Sequence, residues 1–176
     1  MVKIFSKEEP VLRQIAKPVT ADMFGGKELS KVLKDMKTAL KSQDDGVAIA
    51  APQIGVSLRI FVVSGRVLEM LYPEAEDEPA KKYPDMTFIN PEIVKLSKEQ
   101  EEMEEGCLSV RYLYGKIVRA KKAKVRAQDE QGQVFEVGGS GLLAQIFQHE
   151  TDHLDGVLFI DNATDIHDVP PKKDSE

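Results

Sequence analysis

Hydrophobic positions along the chain alternate between two periods, and the changes of period mark its elements. Leu29, Val32, Leu33, Met36, Ala39 and Leu40 recur three and four residues apart, which predicts a helix over 28–43, ended by Asp44-Asp45-Gly46. Arg59-Ile60-Phe61-Val62-Val63 is short, β-branched and almost continuously apolar, as expected of a buried strand. Thr87-Phe88-Ile89-Asn90 predicts a strand stopped by Pro91, and Glu92 to Leu96 another. Residues 116–128 read as one long strand, and Gln131-Gly132 as a hairpin turn into a strand from Gln133 to Val137. The helical period then returns. Leu142, Ile146, His149 and His153 form one stripe, widened by Leu143, Phe147 and Leu154. Ser140 is the expected N-cap of this helix and Gly141 its flexible entry, with Gly156 after its last turn. Strands first and a helix late predict an α+β domain, with mostly antiparallel sheets packed around that helix.

Composition narrows the classes. The 176 residues suit one domain, expected over 1–163, with a polar tail over 164–176 that is expected to fray. Apolar residues make up 41% of the chain, enough for a core, but no apolar run is long enough to span a bilayer. Met1 to Pro10 lacks the apolar stretch of a secretion signal. The single cysteine, Cys107, excludes an internal disulfide framework and suits a reducing cytoplasm. A net charge of −6 without a basic stripe argues against nucleic-acid binding, and no membrane binding is expected. Glu74 to Glu78 reads as a solvated surface loop, and Glu99, Glu101, Glu102 and Glu104 read as solvated.

Candidate chemistry is densest on the last helix. His149 and His153 are four residues apart, so both rings project from one helical face with Cβ atoms about 5–6 Å apart and can reach one metal ion. Glu150, next to the first histidine, can lean toward a water on that ion, and the combination points to metal-assisted hydrolysis. The plainer alternative is two hydrogen-bonded core histidines. A catalytic site of this type takes three protein ligands. A third histidine downstream would fall at Phe159, and the later acids Asp161, Asp165 and Asp168 sit in a polar tail, so the third ligand is expected upstream. Cys107 is the candidate there, since thiolate binds zinc and ferrous iron, although a lone cysteine is often an inert buried residue. Glu105, two residues before it, is placed to orient the metal loop through hydrogen bonds. His167, in the tail, has no expected metal role.

Three segments together resemble the peptide deformylase family: Gly46-Val47-Ala48-Ile49-Ala50-Ala51-Pro52-Gln53, Glu105-Gly106-Cys107-Leu108-Ser109, and Gln148 to Gly156. Their order and spacing match, and the likeness runs over about residues 2–161. The resemblance implies removal of the N-formyl group from polypeptides that begin with formyl-methionine, releasing formate. It implies Cys107, His149 and His153 as ligands of one divalent ion, Fe(II) foremost, with Zn, Ni or Co as replacements. It also implies Glu150 as general base, with Gln53 and the Leu108 backbone N–H facing the developing oxyanion. By the same likeness Val47, Met103, Leu142 and Ile146 line a pocket for the methionine side chain, and Gly46, Ala48, Glu105 and Gly106 border the peptide. The expected partners are the N-formylmethionyl peptide and the ribosome near its peptide exit, and the expected state is a cytoplasmic monomer. Two departures bear on the cleft. Ala48 stands where the family has glycine, and the added methyl is expected to narrow the cleft. Arg111-Tyr112-Leu113-Tyr114 replaces a loop that often begins with proline, while Arg119 matches the family's arginine after it. A metalloprotease with the same His-Glu-x-x-His core, and a binding protein without turnover, are the competing readings.

Overall fold

The computed structural model describes residues 2–73 and 81–170, so the expected Glu74–Glu78 loop lies outside the described residues. The elements in order are α1 (Lys27–Lys41), β1 (Ala48–Ala50), β2 (Ile60–Val63), α2 (Gly65–Leu71), β3 (Met86–Leu96), β4 (Gln100–Cys107), β5 (Val110–Ala120), β6 (Lys122–Gln128), β7 (Val134–Ser140), α3 (Leu142–Leu154) and β8 (Thr164–Asp168). A five-stranded sheet runs β1-β2-β3-β6-β7 and a three-stranded sheet runs β4-β5-β8, with every strand pairing antiparallel. The α+β architecture is as the sequence implies.

Strand alternation explains where the helices sit. Phe61 and Val63 of β2 face one side and join Phe88, Val125 and the α3 residues Ala144, Ile146 and Phe147 in one core cluster. Ile60 and Val62 face the other side and meet Leu29, Leu33 and Met36 of α1 in a second. Both faces of β2 are therefore buried, which is why its sequence is continuously apolar rather than alternating. On β6 only one face is covered: Ala123, Val125 and Ala127 are buried, while Lys122, Lys124 and Arg126 are exposed. Phe61 and Phe88 stack with ring centroids 4.6 Å apart, and Phe147 meets Phe88 edge-on at 5.4 Å. Each such pair is worth about 0.5–1.5 kcal/mol beyond its buried area. They clamp α3 to the sheet at mid-helix.

Several boundaries differ from expectation for local reasons. The two strands expected on either side of Pro91 are one strand with a bulge. Asn90 takes φ +50° there, which asparagine tolerates, and its side chain exchanges hydrogen bonds of 2.8 Å with the Val19 backbone. The long strand expected over 116–128 breaks at Lys121, where the chain passes from the three-stranded sheet to the five-stranded one. Ser140 belongs to β7 and does not cap α3; the N-cap is Gly141, whose φ +55° and ψ −128° only glycine adopts readily. Glu101, Glu102 and Glu104 are exposed, as expected, but they belong to a strand, β4, that the sequence pattern did not predict. The tail does not fray at 164: Thr164–Asp168 forms β8 against β5. No helix among the described residues is long and apolar enough to cross a membrane.

Candidate active site

The sequence brings three donor groups to one point by two routes. His149 and His153 lie on successive turns of α3, with ring centroids 5.0 Å apart. Cys107 ends β4, where Cys107 pairs with Val110 across a two-residue turn. That tight turn aims the thiol at the helix: Cys107 Sγ lies 3.2 Å from His153 Nε2. The ligand atoms of Cys107, His149 and His153 all lie within 4.8 Å of one another, close enough for one ion to meet all three. Burial opposes a charge on Cys107, but the His153 and His149 rings outweigh it and hold the thiol well below its ordinary range. The same thiolate, with Glu105, raises His149 well above the usual imidazole range against the effect of burial. A thiolate and two imidazoles form a donor set that fits a divalent transition metal.

A buried ionic frame orients this set. His149 Nδ1 lies 2.9 Å from Glu105 Oε2, which leaves Nε2 for a ligand. Arg119 Nε and Nη2 donate to the two Glu105 oxygens at 2.7 and 2.9 Å, and Nη1 donates to Asp152 Oδ2 at 2.7 Å. β4, β5 and α3 are thus tied together through one guanidinium. Burial pushes Glu105 up, but the His149 and Arg119 hydrogen bonds bring it down to about 2. A carboxylate whose folded pKa is depressed stabilises the fold above its unfolded pKa, and that stability is lost as pH falls through the folded value. The metal-free protein should therefore lose up to about 3 kcal/mol between about pH 4.5 and pH 2. Glu105→Gln should flatten this limb of a urea-denaturation series taken against pH, and an unchanged slope would remove Glu105 as its source. Both Glu105 oxygens are engaged in this frame.

Glu150 follows His149 on α3 and lines the same cavity. It is 4% exposed and its Oε2 has no hydrogen-bond partner, as is also true of His153 Nδ1. Buried oxygens are rarely left unpaired, and such a group calls for a role. Burial pushes the Glu150 carboxyl up to about 7, against the pull of His149 and His153. That value suits proton exchange at neutral pH. Gln53 is fixed by three contacts. Its Oε1 accepts from the Ala50 N–H at 2.8 Å, so its amide nitrogen must face the thiol, donating to Ser109 Oγ at 3.1 Å and to Cys107 Sγ at 3.5 Å. Gln148 has a different task. Its side chain bonds both the N–H and the carbonyl of Ala120 at 3.0 Å and so locks α3 to the end of β5.

A cavity of about 680 Å3 opens over these groups, within the usual range of ligand pockets. Gly46, Val47 and Ala48 line it from β1 and the residues before it, and Gly106, Cys107 and Leu108 from the end of β4. Leu142, Ile146, His149 and Glu150 come from α3, and Gln53 and Glu105 also reach the lining. Of the residues expected at the cleft, Met103 is not brought to it. It pairs with Ile117 two residues before Glu105, and each residue advances a strand by about 3.4 Å, which carries it away. Ala48 is 5% exposed and packs in the core cluster, so its methyl is largely absorbed there. Gly106 is required by a close approach: a Cβ would lie 2.6 Å from the Tyr114 ring. Sequence reasoning did not find Ser109 and Asp152 as partners of Gln53 and Arg119. Nor did it place Asp45 on the rim, where Arg111 Nη1 donates to its carboxylate at 2.8 Å.

The polypeptide deformylase family model matches residues 1–169. A peptide deformylase of Acidobacterium capsulatum is 43% identical over 152 residues, covering 86% of this chain and 80% of that protein. One from Carboxydothermus hydrogenoformans is 39% identical, covering 93% of this chain and 94% of that protein. Among solved structures, the Met-Ala-Ser-bound class I type b peptide deformylase from Acinetobacter baumannii aligns with TM-score 0.78 at 34% identity, covering 92% of this chain and 97% of that one. With this match over nearly its whole length and a metal-competent Cys-His-His centre, the chain belongs to the polypeptide deformylase family, metal-dependent hydrolases that remove the N-formyl group from nascent peptides.

Proposed function

We propose that Cys107, His149 and His153 hold one divalent ion, Fe(II) in the native protein with Zn, Ni or Co as substitutes, and that Glu150 is the general base of the deformylation. The observation that carries this is the unpartnered Glu150 Oε2, buried beside the three donor atoms at the cavity. An ion held by these donors lowers the pKa of water from 15.7 toward about 7 and polarises a carbonyl. Glu150 takes a proton from the attacking water and delivers it to the amine nitrogen as the formyl C–N bond breaks, so that formate and a free N-terminus leave. Gln53 Nε2 and the Leu108 N–H stabilise the oxygen of the formyl group as it gains charge. Ala50 and Ser109 already orient the Gln53 amide, and the N–H that would turn to the oxygen is the one whose contact is weakest, at 3.5 Å from Cys107 Sγ.

The substrate is an N-formylmethionyl peptide, with the methionine side chain against Val47, Leu142 and Ile146. The peptide Met-Ala-Ser held by the Acinetobacter baumannii relative supports a peptide that begins with methionine as the ligand. The protein acts as a monomer in the cytoplasm, on chains leaving the ribosome. A thiolate ligand and a ferrous ion both favour reducing surroundings.

Formate release from formyl-Met-Ala-Ser by anaerobically purified, Fe(II)-loaded protein tests the reading. Release from that peptide, with no internal cleavage of acetyl-Met-Ala-Ser, is the expected result; cleavage of the acetylated peptide would favour a protease instead. Val47→Trp should lower kcat/KM for formyl-Met peptides about tenfold or more relative to formyl-Ala peptides. An equal loss on both would count against the pocket.

A further inference from the structure

The five-stranded sheet carries α3 on one face and α1 on the other, and the outward face of α1 has no task in the chemistry above. The chain as a whole is acidic, with a net charge of −6, but the charge is unevenly spread. On α1, Lys27, Lys31, Lys34, Lys37 and Lys41 stand against only Glu28 and Asp35. The helix is therefore +3, which leaves −9 for the rest of the molecule. No long basic run in the sequence announces this, because only the helical turn brings the lysines into line.

Two of the five lysines are paired. Lys31 bonds Asp35 at 2.7 Å, one turn on, and Lys37 reaches a Glu130 oxygen that also accepts from Thr87. Lys27, Lys34 and Lys41 are exposed and have no carboxylate partner among the described residues. They are seven residues apart, so each lies about 10.5 Å further along the helix and only about 20° round from the last. Glu28 and Asp35 lie about 100° away, on one flank. Three cations without partners thus form a nearly straight row about 21 Å long. Helix stability does not account for it. Lys41, in the last turn, suits the helix dipole, but Lys27 is the first residue of α1, where the dipole disfavours a cation.

The composition of this face selects its occupant. No large apolar side chain of α1 is exposed, so the face lacks the anchors of a protein interface and the apolar stripe that enters a lipid surface. It offers a row of flexible ammonium groups, the chemistry that meets a regular line of phosphates. We propose that the outer face of α1 binds the phosphate backbone of RNA through Lys27, Lys34 and Lys41. The choice of RNA rests on the reading above, in which the substrate is a chain leaving the ribosome. The same backbone repels the acidic remainder of the molecule, which confines contact to α1. With the sheet between α1 and α3, a partner on this face leaves the cavity over α3 open to the peptide.

The test titrates a fluorescein-labelled RNA duplex of about 20 base pairs with the metal-loaded protein, read by anisotropy between 50 and 200 mM salt. With three phosphates neutralised, the affinity should fall about 40-fold over that range. Lys27→Glu, Lys34→Glu and Lys41→Glu together should abolish binding, while formate release from formyl-Met-Ala-Ser stays at the wild-type rate. Lys95→Glu, Lys98→Glu and Lys122→Glu together, at exposed positions outside α1, change the net charge equally and should weaken binding by about threefold or less. An equal loss in the two triple variants, or no binding by the wild type, overturns the surface. Tighter binding of polyglutamate or of phosphatidylserine vesicles than of the duplex overturns RNA as its occupant. Binding through α1 in a wild type that releases no formate supports the surface and overturns the reading of the active site alone.

Discussion

Glu150→Gln should keep a full complement of metal and lower formate release by about 10²–10⁴-fold. Glu150 is not one of the three converging donors, so the ion's protein contacts survive. The amide has the size of the carboxylate but cannot accept the water proton. Because Oε2 has no partner in the fold, the substitution breaks no hydrogen bond at that atom, and the cost to stability is that of burying an unpaired amide N–H, about 1–3 kcal/mol. Metal content, thermal midpoint and kcat must therefore be read together. Unchanged metal, a small drop in midpoint and a large loss of kcat assign the proton transfer to Glu150. Near-normal turnover would sink that role, however well the ion is held. A loss of metal in parallel with activity would place Glu150 among the groups that build the centre rather than those that use it.

The parts of this site that were legible in the sequence are those that a short stretch of chain encodes by itself. The His149-to-His153 spacing on an amphipathic helix needs no tertiary information, and α3 begins and ends within two residues of the expected places. Glu105 could be singled out because it lies two residues from Cys107, and its bond to His149 follows from that nearness. The remaining frame depends on distant pairings. Asp152 reaches Arg119 only because β5 lies beside α3, and nothing in its neighbourhood distinguishes it from a solvated helix acid. β4 was missed because its acids give no apolar alternation: the side chains at 101, 102 and 104 point to water, and the strand is held by its ladder to β5. β8 was missed for the same reason, since all five of its residues are exposed. The part of the cavity lined by Val169 and Pro170 was therefore invisible, because it exists only once β8 is paired.

Cys107→Ala should leave the protein folded and without its metal. Removing groups that merely orient metal ligands costs about 10–100-fold in affinity, so losing a ligand must cost at least that. The loss is greater here because the thiolate is the one anionic donor among the three. It is also the group that couples the β4 turn to α3, through His153 Nε2 at 3.2 Å, Gln53 Nε2 at 3.5 Å and the Ser109 N–H at 3.4 Å. These contacts are long and weak as hydrogen bonds, so the fold does not depend on them. The Glu105–Arg119 pair and the Gln148 bonds to Ala120 still tie the helix to the strands. The circular dichroism spectrum should accordingly match that of the wild type, while metal per chain after dialysis falls below about a tenth and formate release falls with it. Cys107→Asp restores an anionic oxygen donor and should recover part of the metal, which separates lost charge from lost structure. One equivalent of metal retained by the Ala variant would remove Cys107 from the ligand set. The two histidines would then need a different third partner, and Glu150, the remaining carboxylate with an unpaired oxygen beside them, would become a ligand rather than a base.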